Sequence, residues 1–179
     1  LIVELRCYPR EFMIFDFIGR YFMPRTSPHV IWLAPTGALP GVFHELQDSL
    51  FVNPDNPAVA ENPDYYKGRV IVLVDSSTQS QAEYTAMAFQ ATPRCTVVGT
   101  QTAGADGNIS ALVMPGGDFG YFSGLGVLYP DGTNTQRASV RIDVPVYATV
   151  PGLQAGRDEI LEKALEIIAT GAYDPAAKI

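Results

Sequence analysis

"GRVIVLVDSSTQSQAEYTAMAFQATPRCTVVG", residues 68–99, holds the elements that decide the fold. Val70 to Val74 is an unbroken run of β-branched residues and Leu, the pattern of a strand covered on both faces. "SQAEYTAMAFQA" (80–91) reads as a small-residue helix with Ala82, Ala86 and Phe89 on one side, and "CTVVG" (95–99) as the next strand. Strand, helix and strand in so short a span form a βαβ crossover, which requires the two strands to be parallel neighbours. The expected fold is therefore α/β with a mostly parallel sheet.

Outward from this unit, "LIVEL" (1–5) reads as a buried strand. "REFMIFDFIGRYF" (10–22), apolar at 12, 15, 18 and 22, predicts a helix starting just after Pro9. "HVIWLA" (29–34) is a further strand between Pro28 and Pro35. Residues 35–68 carry Pro35, Pro40, Pro54, Pro57 and Pro63 and read as one long connection, functional or a subunit contact. "TAGADGN" (102–108) is a tight turn, "ISALVM" (109–114) and "DFGYFSG" (118–124) are strands about a "PGG" turn, and "YPDG" (129–132) is another turn. "RIDVPVYAT" (141–149) alternates like a last strand. "GRDEILEKALEIIATG" (156–171) is a helix with acidic residues in its first turn, an Ile160, Ala164, Ile167, Ile168 stripe, and Gly171 as its stop.

Composition narrows the function. The chain has 179 residues, 47% hydrophobic, enough for one domain with a real core, so residues 1–179 are taken as a single domain. No run approaches the roughly 18 apolar residues of a membrane span. Net charge is −7 with no basic cluster, which argues against nucleic acid as a partner, since phosphate neutralisation needs grouped Lys and Arg. With only His29 and His44, and with Cys7 and Cys95 outside any zinc-type spacing, no metal and no cofactor are expected. Cys95 reads as a buried structural thiol. The chain opens on an apolar strand without initiator Met or leader, which suggests the C-terminal part of a longer protein.

The turn between the first strand and helix of the βαβ unit carries the chemistry. A helix start exposes unpaired backbone N–H groups and the positive end of the dipole. A hydroxyl there can attack a carbonyl while neighbouring N–H groups hold the oxyanion. Ser80 with Glu83 three residues on is equally an S-x-x-E capping box, and the local pattern alone favours that plainer reading.

The ordered set "LIVELRCYP", "GRVIVLVDSSTQSQAEYTAMAF", "TVVGTQTAGADGN", "FSGLGVLYPDGTNTQR", "RIDVPV" and "GRDEILEKALEII" resembles the tail-specific, or C-terminal processing, serine peptidases. It is most similar to their lysine-less branch, which includes tricorn-type proteases and retinoid-binding relatives. The resemblance runs over nearly the whole chain and breaks only at 35–66. It implies a crotonase/ClpP-like α/β spiral and a C-terminal catalytic-type domain whose N-terminal modules lie outside these residues. It also implies Ser80 as nucleophile, Gln81 as donor of an oxyanion N–H, and Ser76, Ser77 and Thr78 as the residues shaping the turn.

The departures from that pattern concern the base. The general-base Lys of classical members follows a "TxGKG"-like turn; here the turn is "TAGADG" and Ala105 stands in the Lys position. Tricorn-type relatives use a distant upstream His supported by a downstream Glu, and Gln136 occupies the position of that Glu. The base is therefore expected outside this chain, since neither His29 nor His44 sits in a matching motif. Asp106 is a local carboxylate that could orient water or substrate, and more simply supports the "GADGN" turn. "LRCYPREF" lacks the glycines that commonly give the second oxyanion N–H, and its Arg6 reads as a salt bridge beside the first strand. Phe119, Tyr121, Phe122 and Tyr129 line either a groove or the core.

The reading is a serine-type endopeptidase domain acting on polypeptide through an acyl-enzyme at Ser80. Upstream domains of the same chain are its partners, and a homo-oligomer stays open. An inactive member of the same fold that binds a peptide, glycan or lipid is the alternative, and a crotonase-like acyl-CoA enzyme lacks a visible adenine pocket. Location in the bacterial periplasm or cell envelope follows from the resemblance alone.

Overall fold

A computed structural model describes residues 1–12 and 14–173. Its centre is a four-stranded parallel sheet of β1 (Ile2–Glu4), β4 (Val70–Val74), β5 (Cys95–Gly99) and β9 (Val144–Pro145), in that spatial order. All five residues of β4 and all five of β5 are buried. Successive side chains of a strand point to opposite faces. Val70, Val72, Val74 and Val97 accordingly face α1 (Ile14–Phe22), α2 (Gln81–Gln90) and the second sheet. Ile71, Leu73 and Val98 face Ile160, Ala164 and Ile167 of α4 (Glu159–Thr170). Cover on both faces is why β4 could afford no polar residue.

The second sheet is antiparallel: β3 (Phe43–Leu50), β2 (Ser27–Pro35) and β8 (Gly126–Leu128), in that order. A hairpin of β6 (Ile109–Val113) and β7 (Phe119–Ser123) stands apart, turning through Gly116 and Gly117, both at positive φ. A short helix, α3 (Val150–Gln154), precedes α4. α4 starts at Asp158, whose side chain accepts from the Leu161 N–H, and stops at Gly171 in the left-handed conformation.

Several expectations need correction. The 35–68 segment is not one loop, because β3 lies inside it and pairs along the whole of β2. Most of β3 is exposed and polar, so periodicity gave no core face to detect. The first helix begins at Ile14 rather than just after Pro9; Tyr8 and Phe12 instead pack edge to face, ring centroids 6.2 Å apart, in the preceding loop. The last strand shrinks to Val144–Pro145, although the Val146 N–H still donates to the Gly99 carbonyl at 2.9 Å just beyond it. The parallel arrangement holds for the central sheet only. Cys95 is buried as expected, whereas Cys7 is exposed.

Close backbone approach explains one glycine beside the site. Gly99 ends β5 at φ 141°, and a Cβ there would lie 1.8 Å from the Val74 carbonyl oxygen. The ends of β4 and β5 can therefore come together, and both feed the loops that build the site.

Candidate active site

The turn after β4 is built from its own polar side chains. Asp75 Oδ1 accepts from the N–H and the hydroxyl of Ser77, at 2.8 and 2.6 Å. Thr78, fully buried, donates its hydroxyl to the Leu5 carbonyl at 2.9 Å, and its own carbonyl accepts from Ala103 N–H at 3.0 Å. These bonds fix the turn to the end of β1 on one side and to the 102–108 segment on the other.

Ser80 follows at φ 52°, ψ −116°, a backbone region that non-glycine residues enter at a cost of about 1–3 kcal/mol. The strain is held by Glu83, which is fully buried. Its Oε2 accepts from the N–H groups of Ser80 (3.0 Å) and Ala105 (2.9 Å). Its Oε1 accepts from Gly104 N–H (2.7 Å) and the Thr102 hydroxyl (2.5 Å). Four donors satisfy a carboxylate that would otherwise be costly to bury. Glu83 is thus more than half of a capping box: it joins the serine turn to the "TAGADG" turn.

Ser80 opens onto a cavity of about 470 Å³. One wall is aromatic, made of Tyr8, Phe12, Phe15, Trp32 and Tyr84. Tyr84 packs against Phe15 at 4.6 Å and Trp32 at 5.1 Å between ring centroids. The polar part is Ser80, Gln81, Asp48 and Asp106. The Tyr84 hydroxyl donates to Asp48, and burial together with that carboxylate pushes the phenol far above its ordinary range. A second opening beside Ser80, about 410 Å³, is lined by Tyr121 and Phe122 of β7 along with Ala105.

Of the residues singled out from the sequence, Ser80, Gln81 and Asp106 share one cavity. Asp106 is 3% exposed; its Oδ1 accepts from Gly107 N–H at 2.7 Å, while its Oδ2 has no hydrogen-bond partner. Burial raises its pKa to about 7, helped by the Glu83 charge and opposed by the Gly107 bond. Gln136 stands one step back: its Nε2 donates to the carbonyls of Asp106 and Leu125, each at 2.9 Å, and so holds the Asp106 loop. Arg6 makes the expected salt bridge, a two-pronged pair with Asp158 (2.8 and 2.7 Å) plus Glu4.

Tyr121 and Phe122 reach the site, whereas Tyr129 is core and Phe119 sits exposed on the hairpin. Neither histidine lines a cavity with Ser80. His44 is exposed on β3. His29 lies behind the aromatic wall, against Phe15 and Tyr84, and burial lowers its pKa to about 4. Among the described residues no group of three or more His, Cys, Asp or Glu is placed to hold a metal ion, and no helix is long and apolar enough to cross a membrane.

The sequence reading missed the aromatic wall and Asp48. Tyr84 carried a usable signal, because it lies four residues after Ser80 and so on the same helix face. Asp48 and Trp32 carried none, since the β2–β3 pairing that brings them in is non-local.

Fold and site together define an α/β domain that presents a serine on a strained strand-to-helix turn. Residues 42–146 match the model of peptidase family S41, and the chain belongs to that family. Similar folds include a candidate peptidase of Parabacteroides merdae (TM-score 0.78, 21% identity, 93% of this chain and 51% of that one). A candidate S41 protease of Bacteroides fragilis gives a TM-score of 0.63 at 15% identity, covering 96% and 45% of the two chains. The photosystem II D1 C-terminal processing protease gives 0.54 at 18% identity, covering 82% and 34%. The chain thus spans about half or less of the length of these relatives. Among curated proteins none gives a significant match.

Proposed function

We propose that this chain is the catalytic domain of a serine endopeptidase in which Ser80 forms an acyl-enzyme with a polypeptide substrate. The observation that carries the reading is the backbone of Ser80, held at positive φ by Glu83 at the head of α2 and facing a cavity. Strand-to-helix turns of this strained kind expose a nucleophile oxygen in other hydrolases. The Ser80 N–H is taken up by Glu83, so the oxyanion donor is the N–H of Gln81, the first residue of α2, whose helix position leaves it without an intrahelical acceptor. The aromatic wall supports a pocket for an apolar portion of the substrate. Gln136 keeps the 106 loop in place. Domains beyond these residues would present the substrate, and export to the cell envelope belongs to the same proposal.

A fluorophosphonate probe applied to the full-length protein tests this. Labelling at Ser80, absent in Ser80→Ala, is the expected result; no labelling under conditions that label a known serine peptidase would sink the reading. The second reading, a groove that binds peptide without cleaving it, draws on Ala105 and Gln136 standing where relatives carry Lys and Glu. The same probe decides between the two.

A further inference from the structure

We propose that the β6–β7 hairpin is a dimerisation surface: its face of Ile109, Val113, Phe119 and Tyr121 packs on the same face of a second copy of this chain across a two-fold axis. The proposal concerns assembly and does not depend on Ser80 being the nucleophile.

The hairpin exposes apolar surface that nothing around it covers. Its ladder sets Val113 opposite Phe119, Ala111 opposite Tyr121 and Ile109 opposite Ser123. Alternation therefore places Ile109, Val113, Phe119 and Tyr121 on one side and Leu112 and Phe122 on the other. All six are 56–70% exposed. Phe119 and Tyr121 stack with ring centroids 6.4 Å apart, which joins them into one aromatic surface. Among the described residues neither strand pairs with any strand but the other. A two-stranded hairpin is marginal by itself in water and becomes stable when a further strand or an apolar surface packs on it.

The edges of this hairpin differ from the other sheet edges of the molecule. Those are blunted in the ways that prevent pairing between chains. β1 ends on Glu4, β3 carries His44, Glu45 and Asp48, β8 has three residues and β9 ends on Pro145. β6 ("ISALV") and β7 ("FGYFS") carry no charge and no proline, and the one charge between Ile109 and Ser123 is Asp118 in the turn. A two-fold axis sets a surface against itself, so a charged face would meet like charge, whereas this one meets its own apolar residues.

Area favours a second copy over a substrate. At their exposures the four residues of the proposed face leave roughly 550 Å² in water on one copy, so two copies would bury about 1,100 Å² between them. That exceeds the roughly 1,000 Å² that a stable interface should clear. Ile109, Tyr121 and Phe122 at the base of the hairpin line the opening beside Ser80, while Val113 and Phe119 flank the turn at its far end. A peptide held at Ser80 meets the base, and it departs after each encounter. The hairpin of a second copy has the length to cover the face from base to tip.

Sedimentation velocity on the full-length protein tests this. The wild type should be a dimer at about 50 µM, and Val113→Asp and Tyr121→Asp should each weaken association about 100-fold or more by burying a carboxylate in an apolar contact. Both positions are exposed in the single chain, so neither substitution disturbs a core, and circular dichroism checks that the fold is kept. Leu46→Asp on β3, also exposed, should leave the dimer intact. In hydrogen–deuterium exchange of the wild type, the amides of 109–113 and 119–123 should slow as protein concentration rises. A dimer that survives both hairpin substitutions overturns the proposal. So does a full-length wild type that stays monomeric at that concentration: hairpin amides protected at every dilution would then show cover by another part of the same chain, and freely exchanging ones a bare surface.

Discussion

Replacing Asp106 by Asn should change the pH dependence of stability in a way that can be worked out beforehand. Burial raises the Asp106 pKa from 3.8 to about 7 in the folded chain. Burial also lowers His29 from 6.5 to about 4, with the Asp48 charge opposing. Between about pH 4 and 7 the folded chain keeps an Asp106 proton that the unfolded chain has released, so this group's stabilisation is full at low pH and lost as pH rises. At 1.36 kcal/mol per unit the loss totals about 4 kcal/mol. His29 works the other way. Between about pH 4 and 6.5 the unfolded chain holds a proton that the folded chain lacks, so stability rises with pH, by about 3 kcal/mol.

In the wild type the two slopes largely cancel over pH 4 to 6.5. In Asp106→Asn only the His29 slope remains, and stability should climb by about 3 kcal/mol across that window. At pH 8 the variant avoids about 4 kcal/mol of carboxylate burial and leaves an amide N–H group buried without a partner, a cost of about 1–3 kcal/mol. It should therefore be more stable than wild type at pH 8 by roughly 1–3 kcal/mol. Urea midpoints from pH 4 to 8 measure this. Carboxylates such as the exposed Asp131 and the half-buried Asp158, both lowered by arginine partners, occur in both proteins and drop out of the difference. Wild-type and variant curves that run parallel from pH 4 to 8 would refute the burial argument.

Two further outcomes concern the serine turn. Glu83→Gln turns one amide edge toward N–H donors that now face an oxygen, and should cost about 3 kcal/mol in urea unfolding; a loss below about 1 kcal/mol would show that the four bonds are not what holds the two turns. Ser80→Gly removes the strain of φ 52° and should be more stable than Ser80→Ala by about 1 kcal/mol, with both unlabelled by the probe; equal stabilities would mean the turn is not strained.

The β4–α2–β5 unit was legible because its strands are buried on both faces and so had to be apolar along their length. β3 was not, because His44, Glu45, Gln47 and Asp48 belong to a largely exposed strand whose only warrant is its long-range pairing with β2. At the site, the spacing of Ser80 and Glu83 read locally as a capping box, and only the family resemblance made Ser80 the nucleophile; the part Glu83 plays in joining two turns was not legible. Three of its four donors come from residues 102–105, which only the folded chain brings near. Asp106 was visible as a turn residue, but the depth at which it is buried was not. The aromatic wall is assembled from the first loop, α1, β2 and α2, and no local pattern unites those segments.

The double acceptance at Glu83 Oε2 also governs how the site can open to water. The amides of Gly104 and Ala105 and that of Ser80, more than twenty positions before them in sequence, end on one carboxylate with no route to solvent of its own. None can be released without uncovering the charge that holds the others. In hydrogen–deuterium exchange the three should behave as one cooperative unit with a common opening free energy, and the residues around the nucleophile would breathe together or not at all.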